Sequence, residues 1–212
     1  MKYVNLIWDF DGMLFNTYPR MAAAFQKALK NLGVEAEYQD VMSTIKLSVR
    51  KGVAYYSEKY NLDRNELNRQ YHEIEHSMPA ETMVPYEGIC ELLKAVVAAG
   101  GSHYLYTHRD HTAIEALERY GIRDLFLGAI TALDPFPSKP APDALLNLMD
   151  KHGLNPEQTL MLGDRDIDVE AAKNAGICGC LFDPEHFYDA YENEMRTDRV
   201  AGLYGLLGVR KG

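Results

Sequence analysis

Downstream of Pro85, short apolar runs alternate with amphipathic stretches, and this alternation restricts the possible folds more than any other feature of the sequence. The runs typical of strands lie at 103–106, 129–131, 159–162 and 177–182. The stretches typical of helices lie at 90–99, 111–120, 143–152 and 167–175, and a glycine follows each of them. Because strands and helices of this length form β-α-β units, we expect a parallel sheet with right-handed connections.

A further apolar run, 3–8, is separated from these units by a long segment with helical periodicity only. Residues 21–33 and 65–78 predict amphipathic helices, and no strand pattern is present between 21 and 83. We therefore expect an α/β protein: a Rossmann-like parallel sheet core, formed by 1–16 and 85–212, with an inserted all-helical cap domain at 17–84. Such an insert would lie above the carboxyl edge of the sheet, where open α/β sheets bind ligands.

The charge balance and the cysteine content narrow the functional classes. Lys and Arg total 22 of 212 residues and Asp and Glu total 31, which gives a formal net charge of -9. This balance argues against nucleic-acid and anionic-membrane binding, although a locally positive pocket can still bind an anionic substrate. The three cysteines form no paired framework, and we find neither a signal-peptide pattern nor a run long enough to span a membrane. We expect a cytoplasmic protein.

Polar residues follow the expected strands, where a buried strand meets solvent. In chain order these residues are Asp9 and Asp11, Thr107 and His108, Lys139, and Asp164 with Asp168. Because the carboxyl ends of parallel strands meet at one edge, we expect the side chains to converge in one crevice. Each has an ordinary explanation when taken singly: Asp11-Gly12 is typical of a turn, and Asp168 is typical of the first turn of a helix.

In this order and spacing, the polar residues resemble the four motifs of the haloacid dehalogenase-like phosphatase superfamily. The four motifs are Asp9-x-Asp11-Gly12-x-Leu14, Thr107, Lys139, and Gly163-Asp164-x-x-x-Asp168. The resemblance extends from Tyr3 to Gly176 and points to the phosphoglycolate-phosphatase branch, which carries a helical cap after the first motif. One such motif alone is common by chance, but four in this order on consecutive strand ends are specific.

The resemblance implies a covalent route for phosphoryl transfer. Asp9 would attack phosphorus and form an aspartyl phosphate, and Asp11 would protonate the leaving oxygen and then activate water. Thr107 and Lys139 would be both catalytic and substrate-binding, since they would hold and neutralise the phosphoryl group. Dehalogenases and phosphonate hydrolases of the superfamily lack an acid at the position of Asp11, so Asp11 favours cleavage of a phosphate ester.

The resemblance also implies a Mg²⁺ cofactor, a hard cation that prefers oxygen ligands. Its protein ligands would be the carboxylates of Asp9 and Asp164 and the backbone carbonyl of Asp11. Asp168 would either order the groups around the metal ion or contact Lys139.

Departures from the family pattern bear on the substrate rather than on the reaction. They occur at Met13, at Asn16-Thr17 and at His108. His108 either contacts the substrate through its ring or contributes only its backbone, and the sequence leaves both explanations open.

The expected cap domain offers two candidate substrate-binding residues, Lys46 and Arg50. If 43–56 is a single helix, the two side chains share a face and would bind a carboxylate or a second phosphate of the substrate. A solvated basic face is the alternative explanation, and the commoner one for such residues.

The combined prediction is a phosphoric monoester hydrolase, a Mg²⁺-dependent phosphatase of a small phosphorylated metabolite, present as a monomer or weak dimer. A phosphomutase of the same superfamily and a catalytically silent binding protein remain alternatives. The intact set Asp9, Asp11, Lys139 and Asp164 counts against the silent protein, which has no need of both carboxylates. The sequence leaves open the substrate and the role of the acidic aromatic segment 183–195.

Overall fold

The structure, a computed structural model, describes residues 1–193 and 195–210. Glu194, expected in the acidic aromatic segment, and Lys211 and Gly212, expected at the end of the core domain, lie outside the described residues. The chain forms two compact units. One unit contains Met1–Phe15 and the chain from Pro85 onward, and the other is Asn16–Val84.

Within the described residues, the first unit contains a six-stranded parallel sheet. Its strands are β1 (Asn5–Trp8), β2 (Ser102–Tyr106), β3 (Phe126–Ile130), β4 (Thr159–Gly163), β5 (Cys178–Phe182) and β6 (Arg196–Thr197). They are arranged in the order β3-β2-β1-β4-β5-β6, and every neighbouring pair is parallel. The predicted α/β class is therefore confirmed. The strand β3 begins at Phe126, three residues before the expected 129–131. The strand β6 was not expected, because two polar residues are too few to show the alternation of apolar and polar side chains that predicts a strand.

The described residues form helices in both units. In chain order they are α1 (Tyr18–Asn31), α2 (Tyr38–Leu47), α3 (Val49–Tyr60), α4 (Arg64–Ser77), α5 (Ile89–Ala98), α6 (Thr112–Arg119), α7 (Asp143–His152), α8 (Asp166–Asn174) and α9 (Val200–Leu207). The first four lie in the unit Asn16–Val84, and the other five alternate with the strands. Within the described residues, no helix has the length and apolar character needed to cross a bilayer.

The central strand β1 is buried because helices cover both faces of the sheet. Ile7 is paired with Tyr104 of β2 and with Met161 of β4, so these three side chains lie in one row on one face. The same apolar cluster contains residues of α7 and α8, namely Ala144, Leu145, Leu148, Ala171 and Ala172. A parallel strand buried on both faces reads as a continuous apolar run, which explains the sequence of β1.

His103 joins the opposite face of the sheet to α5. The indole N–H of Trp8 donates to His103 Nδ1 (2.9 Å), so the ring proton lies on Nε2, 3.0 Å from the carbonyl oxygen of Leu93 in α5. Burial lowers the pKa of His103 to about 4, against the opposing effect of the hydrogen bond to Leu93. The imidazole is therefore neutral in the folded protein at neutral pH.

The second unit packs its four helices around aromatic side chains. The ring of Phe25 in α1 lies 5.7 Å from the rings of both Tyr56 in α3 and Tyr71 in α4. The backbone N–H of Asn16 donates to the carbonyl oxygen of Val84 (2.9 Å), so the chain enters and leaves this unit at adjacent residues.

A buried ion pair links both ends of this helical unit. Arg20 of α1 donates through Nε to Glu75 Oε1 of α4 (2.8 Å), and both side chains are almost fully buried. The guanidinium also donates to the carbonyl oxygens of Pro79 (2.7 Å) and Met78 (3.3 Å), so it holds the segment that leads out of the unit. A buried charge is tolerated when its donors are all used in this way.

Residues 43–56 do not form a single helix, so the condition under which Lys46 and Arg50 would share a face is not met. Ser48 lies between α2 and α3 with φ 178° and ψ 153°, and its side chain accepts from the N–H of Lys51 (3.0 Å) as the N-cap of α3. Serine competes with the helix by offering its own oxygen to the backbone, which ends one helix and begins the next. Lys46 and Arg50 therefore lie on two helices, and the i to i+4 relation does not apply.

We expect the buried neutral His103 to make folding stability depend on pH. An unfolded histidine has a pKa near 6.5, so below about pH 6.5 the unfolded chain binds a proton that the folded protein does not. The free energy of unfolding should therefore fall by about 1.4 kcal/mol per pH unit as the pH drops from about 6.5 to about 4. Urea unfolding of the wild type and of His103→Gln at several pH values in this range measures the difference. Equal slopes for both proteins would contradict a neutral, buried His103.

Candidate active site

The carboxyl edge of the sheet gathers the polar residues that follow β1, β2 and β4. The N–H of Asp9 donates to the carbonyl oxygen of Leu162 (2.8 Å), and the N–H of Thr107 donates to that of Ile130 (3.0 Å). Each ladder of backbone hydrogen bonds thus continues one residue past its strand. The backbones of Asp9 and Thr107 are therefore held by the sheet, and Asp9, Thr107 and Asp164 are all buried.

Lys139 lies at the centre of this site. Its Nζ atom is 2.8 Å from Asp9 Oδ1 and 2.7 Å from Asp168 Oδ1, and it donates to the carbonyl oxygen of Tyr106 (3.0 Å). The Lys139 side chain has 0% exposure, and those of the two aspartates have 3% and 0%. Two hydrogen bonds, to Asp9 and to the carbonyl oxygen of Tyr106, and a close ion pair with Asp168 compensate for the burial of this ammonium group.

The two carboxylates that share Lys139 differ in acidity. Burial raises the pKa of Asp9 to about 6, an effect that Lys139 partly counteracts and the nearby Asp168 charge reinforces. Burial acts on Asp168 as well, but the charges of Lys139 and Arg165 outweigh it and lower the pKa of that carboxyl. Burial of Lys139 lowers its pKa, but the charges of Asp168 and Asp9 outweigh this effect and raise the pKa of the ammonium group. The pair Lys139–Asp168 is therefore ionised, and a further positive charge nearby would favour ionised Asp9.

The donor set at this edge fits a hard divalent cation. One carboxylate oxygen from each of Asp9, Asp164 and Asp168 lies within 4.8 Å of the other two, and all three residues are buried. Asp168 is already engaged on both oxygens, by Lys139 and by the N–H of Arg165 (3.1 Å). Asp9 and Asp164 are therefore the carboxylates suited to hold a divalent metal ion directly, while Asp168 contacts Lys139.

Asp11 lies in a tight turn that follows Asp9. Gly12 has φ 78°, and its N–H donates to the carbonyl oxygen of Phe15 (2.8 Å). A side chain disfavours this conformation, so glycine permits the turn. The carboxylate of Asp11 accepts from Arg109 Nε, 2.9 Å from Oδ1 and 3.2 Å from Oδ2, and Arg109 Nη2 is 2.9 Å from Oδ1.

The side chains of Thr107 and His108, at the start of the loop after β2, each accept a backbone N–H group. Thr107 Oγ1 accepts the N–H of Arg109 (3.0 Å), which leaves the hydroxyl proton for another acceptor such as a phosphoryl oxygen. His108 is exposed on one side, and its Nε2 accepts the backbone N–H of Lys139 (3.2 Å). Desolvation by the surrounding protein and the charges of Lys139 and Arg165 lower the pKa of His108 to about 4. The ring is therefore neutral at neutral pH, and its Nε2 atom can accept a hydrogen bond.

The contact between His108 and Lys139 bears on the two explanations that the sequence left open for the histidine. The ring holds the backbone of the loop that carries Lys139, which is a contribution beyond that of the His108 backbone. A contact of the ring with substrate stays a prediction.

The first turn of α8 is packed closely against the end of β4. The N–H of Arg165 donates to Asp168 Oδ2, and a Cβ atom at Gly163 would overlap the Asp168 carboxylate. Glycine is therefore required at this position, because any side chain would displace the carboxylate that holds Lys139.

The two cap residues named from the sequence lie in the helical unit. Lys46 is buried in the last turn of α2 with its Nζ atom 5.1 Å from the ring centroid of Tyr18, and Arg50 is exposed on α3. A role in substrate binding stays a prediction for both residues.

Sequence reasoning missed two cations at the site, Arg109 and Arg165. Arg109 lies two residues after Thr107, and Arg165 directly follows Asp164, so both positions were visible in the motifs. Their side-chain directions depend on the pairing of β1 with β2 and on the start of α8, which a single sequence does not give.

Comparison with known proteins decides the family. A model of the haloacid dehalogenase-like hydrolases matches residues 6–181, a range that includes all four motifs. The chain belongs to this family. The predicted family is thereby confirmed, and so is the predicted enzyme class, a hydrolase.

Curated relatives of this family member carry the names of two kinds of phosphatase. A phosphoglycolate phosphatase from Vibrio vulnificus (strain YJ016) is 29% identical, with 96% of each chain covered. Pyrophosphatase PpaX from Halalkalibacterium halodurans is 28% identical, with 99% of each chain covered. A crystal structure described as a predicted phosphoglycolate phosphatase from Haemophilus somnus 129PT has a TM-score of 0.83 at 23% identity, with 97% of this chain and 98% of that chain covered, and shows the same fold.

We expect Gly163→Ala to destabilise the protein by about 1–3 kcal/mol, since the added methyl group must displace the Asp168 carboxylate. Gly205→Ala is a matched control, because Gly205 lies within α9 and a Cβ atom there meets nothing within 4 Å. That control should stabilise the protein by about 0.5–1 kcal/mol. Urea unfolding of the two variants measures both effects, and a neutral Gly163→Ala would contradict the close approach of α8 to β4.

Proposed function

We propose that this protein is a Mg²⁺-dependent phosphatase that hydrolyses the phosphomonoester of a small metabolite through an aspartyl phosphate on Asp9. The buried contact of Lys139 with Asp9 and Asp168, next to Asp164, carries the proposal. It presents a nucleophile, a cation and a metal-binding carboxylate at one point of the sheet edge. The names of the phosphatase relatives support the same reaction class.

Asp9 is the nucleophile in this proposal. Its Oδ1 atom accepts from Lys139 (2.8 Å), so Oδ2 is the oxygen assigned to attack. Oδ2 attacks phosphorus, the bond between phosphorus and the leaving oxygen breaks, and the leaving oxygen takes a proton from Asp11. The products of this step are a free alcohol and the phosphoryl group bound to Asp9.

Thr107 and Lys139 bind the phosphoryl group. The Thr107 hydroxyl already accepts a backbone N–H, so it donates its own proton to a phosphoryl oxygen. Lys139 offsets the negative charge that gathers when the ionised Asp9 approaches an anionic phosphate. Such fixed charges are most effective in a buried site, where water does not screen them.

Asp9, Asp164 and the backbone carbonyl of Asp11 hold Mg²⁺ in this proposal. When bound, the ion neutralises phosphoryl oxygens and favours the ionised form of Asp9. Asp168 contributes indirectly, since it fixes Lys139 and the start of α8.

The second step regenerates the enzyme. Asp11, now deprotonated, removes a proton from a water molecule that attacks phosphorus. The bond between phosphorus and Asp9 breaks, phosphate leaves, and both carboxyl groups return to their initial states.

The helical unit acts as a cap domain, residues 17–84, and contributes substrate selectivity through Lys46 and Arg50. Support comes from its position in the sequence, directly after the first motif, and from its separate packing as a compact unit. We place the enzyme in the cytoplasm as a monomer or weak dimer, without nucleic-acid partners, on the basis of its net charge of -9 and its free cysteines.

The nucleophile assignment predicts that Asp9→Asn lowers phosphate release by roughly 10³-fold or more, because the amide does not attack phosphorus. Release from p-nitrophenyl phosphate and from a panel of phosphorylated metabolites measures this, with Asp150→Asn, an exposed residue of α7, as the matched control. Near-normal turnover in Asp9→Asn would remove Asp9 as the nucleophile. An isomerised phosphate ester in place of free phosphate would identify a phosphomutase.

The metal assignment predicts that Mg²⁺ raises the melting temperature of the protein and that EDTA reverses the rise, because ligand binding to the folded state stabilises it. The rise should be lost in Asp164→Asn and retained in Asp150→Asn. Phosphate release should likewise stop with EDTA and return with Mg²⁺. Turnover that resists EDTA would contradict the assignment.

A further inference from the structure

Arg109 holds the carboxylate of Asp11 in a geometry that occupies both of its oxygens. Nε and Nη2 each lie 2.9 Å from Oδ1, and Nε also donates to Oδ2 at 3.2 Å. Exposure of the two side chains is 8% for Arg109 and 21% for Asp11. An ion pair with two donors and limited solvent is among the stronger polar contacts in proteins.

The position of Arg109 is fixed independently of Asp11. Its N–H donates to Thr107 Oγ1 (3.0 Å), and its carbonyl oxygen accepts the N–H of Ala132 (3.0 Å). Its guanidinium carbon lies 5.8 Å from the ring centroid of Phe10, a fully buried residue that stacks on Phe15. The backbone of Arg109 is therefore anchored without Asp11 and its guanidinium lies near the Phe10 ring, while Asp11 is the more exposed side chain of the pair.

This contact bears on the proposed role of Asp11 during turnover. The leaving oxygen must lie within hydrogen-bond distance of an Asp11 oxygen. Asp11 must carry a proton before it can donate one to the leaving oxygen, and a neutral carboxyl group binds a guanidinium less strongly than a carboxylate does. A guanidinium only donates and cannot pass a proton on. The two-donor contact is therefore expected to open in each catalytic cycle, and Arg109 is then available to another anion.

The leaving group of the substrate is the nearest source of that anion. Its oxygen lies about 3 Å from Asp11 when the proton moves, and Arg109 lies 2.9 Å from the same carboxylate. The guanidinium is thus within about 6 Å of the leaving oxygen. A carboxylate or phosphate one or two bonds beyond that oxygen reaches Arg109, and both anions match its planar donors.

We propose that Arg109 selects substrates whose leaving group carries an anion next to the scissile oxygen, and that this anion displaces Asp11 and frees it for proton transfer. The inference rests on the proposed phosphatase function. It assigns Arg109 as a specificity-determining residue within the sheet unit, in addition to His108 of the same unit and Lys46 and Arg50 of the helical unit. A neutral leaving group has no means of separating Asp11 from Arg109, so its ester turns over slowly.

The test compares esters that differ only in the charge of the leaving group, with Mg²⁺ present. Phosphoglycolate is paired with 2-hydroxyethyl phosphate, which has a hydroxyl group in place of the carboxylate. Phosphonomethyl phosphate, in which the leaving alcohol carries a phosphonate, is paired with methyl phosphate, so the two pairs distinguish a carboxylate from a phosphate-like dianion while every leaving group is an alkoxide. For the wild type, we expect kcat/KM to favour the anionic member of at least one pair by about 10- to 100-fold, the usual effect of a hydrogen bond between charged groups.

Arg109→Gln should remove this preference in a selective manner. We expect kcat/KM for the preferred anionic ester to fall by about 10- to 100-fold, while the neutral ester keeps its rate or gains, because Asp11 is no longer held. Arg109→Lys keeps the charge but loses the planar pair of donors, so it should retain an intermediate preference. Arg119→Gln, an exposed residue of α6, is the control.

The possible outcomes separate this proposal from the function on which it rests. An equal loss of rate for all four esters in Arg109→Gln would show a merely structural role and overturn the proposal. A wild type without preference in either pair would overturn it as well, and this comparison needs no variant. If Asp9-dependent release from p-nitrophenyl phosphate persists in that case, the phosphatase stands and only the role of Arg109 fails. Absence of any Asp9-dependent release overturns both.

Discussion

The ammonium group of Lys139 holds together parts of the protein that are distant in sequence. It contacts Asp9 after β1, the carbonyl oxygen of Tyr106 at the end of β2, and Asp168 in the first turn of α8. A charge with no solvent exposure is costly unless it is paired and hydrogen-bonded, and this site supplies two hydrogen-bond acceptors and a close carboxylate. The same contacts that make the buried lysine tolerable orient the nucleophile, so the stability of this edge and its chemistry depend on one group.

The topology of the sheet explains why these groups meet after β1 and β4. The chain proceeds from β1 to β2 and β3 on one side, and β4 to β6 lie on the other. Open α/β sheets form a crevice where the strand order reverses in this way. Asp9 and Asp164 follow the two strands that flank this point, which places two carboxylates side by side with no contribution from a flexible loop.

Much of this arrangement follows from sequence, and what does not has identifiable causes. The β-α alternation could be predicted, because its period is a local property, and Asp9, Lys139 and Asp164 could be named as site candidates from the order of the four motifs. The ion pair of Arg109 with Asp11 could not, since it joins residues 98 positions apart in the chain. The break at Ser48 was missed because a serine side chain competes with the helix backbone without changing the apolar period.

The hydrogen bond between Asn16 and Val84 has a consequence for the order in which the chain assembles. β1 and β2 are neighbours in the sheet but are separated by about ninety residues, most of which belong to the helical unit. Once that unit is folded, its two ends are adjacent, and the effective loop between the strands shrinks to about twenty-five residues. Loop-closure entropy grows with the logarithm of length, so this roughly fourfold reduction lowers the cost of pairing β1 with β2 by about 1 kcal/mol. An inserted unit whose ends are adjacent therefore adds little to the entropic cost of pairing the strands on either side of it. Inserts of very different length can occupy the same position at similar entropic cost.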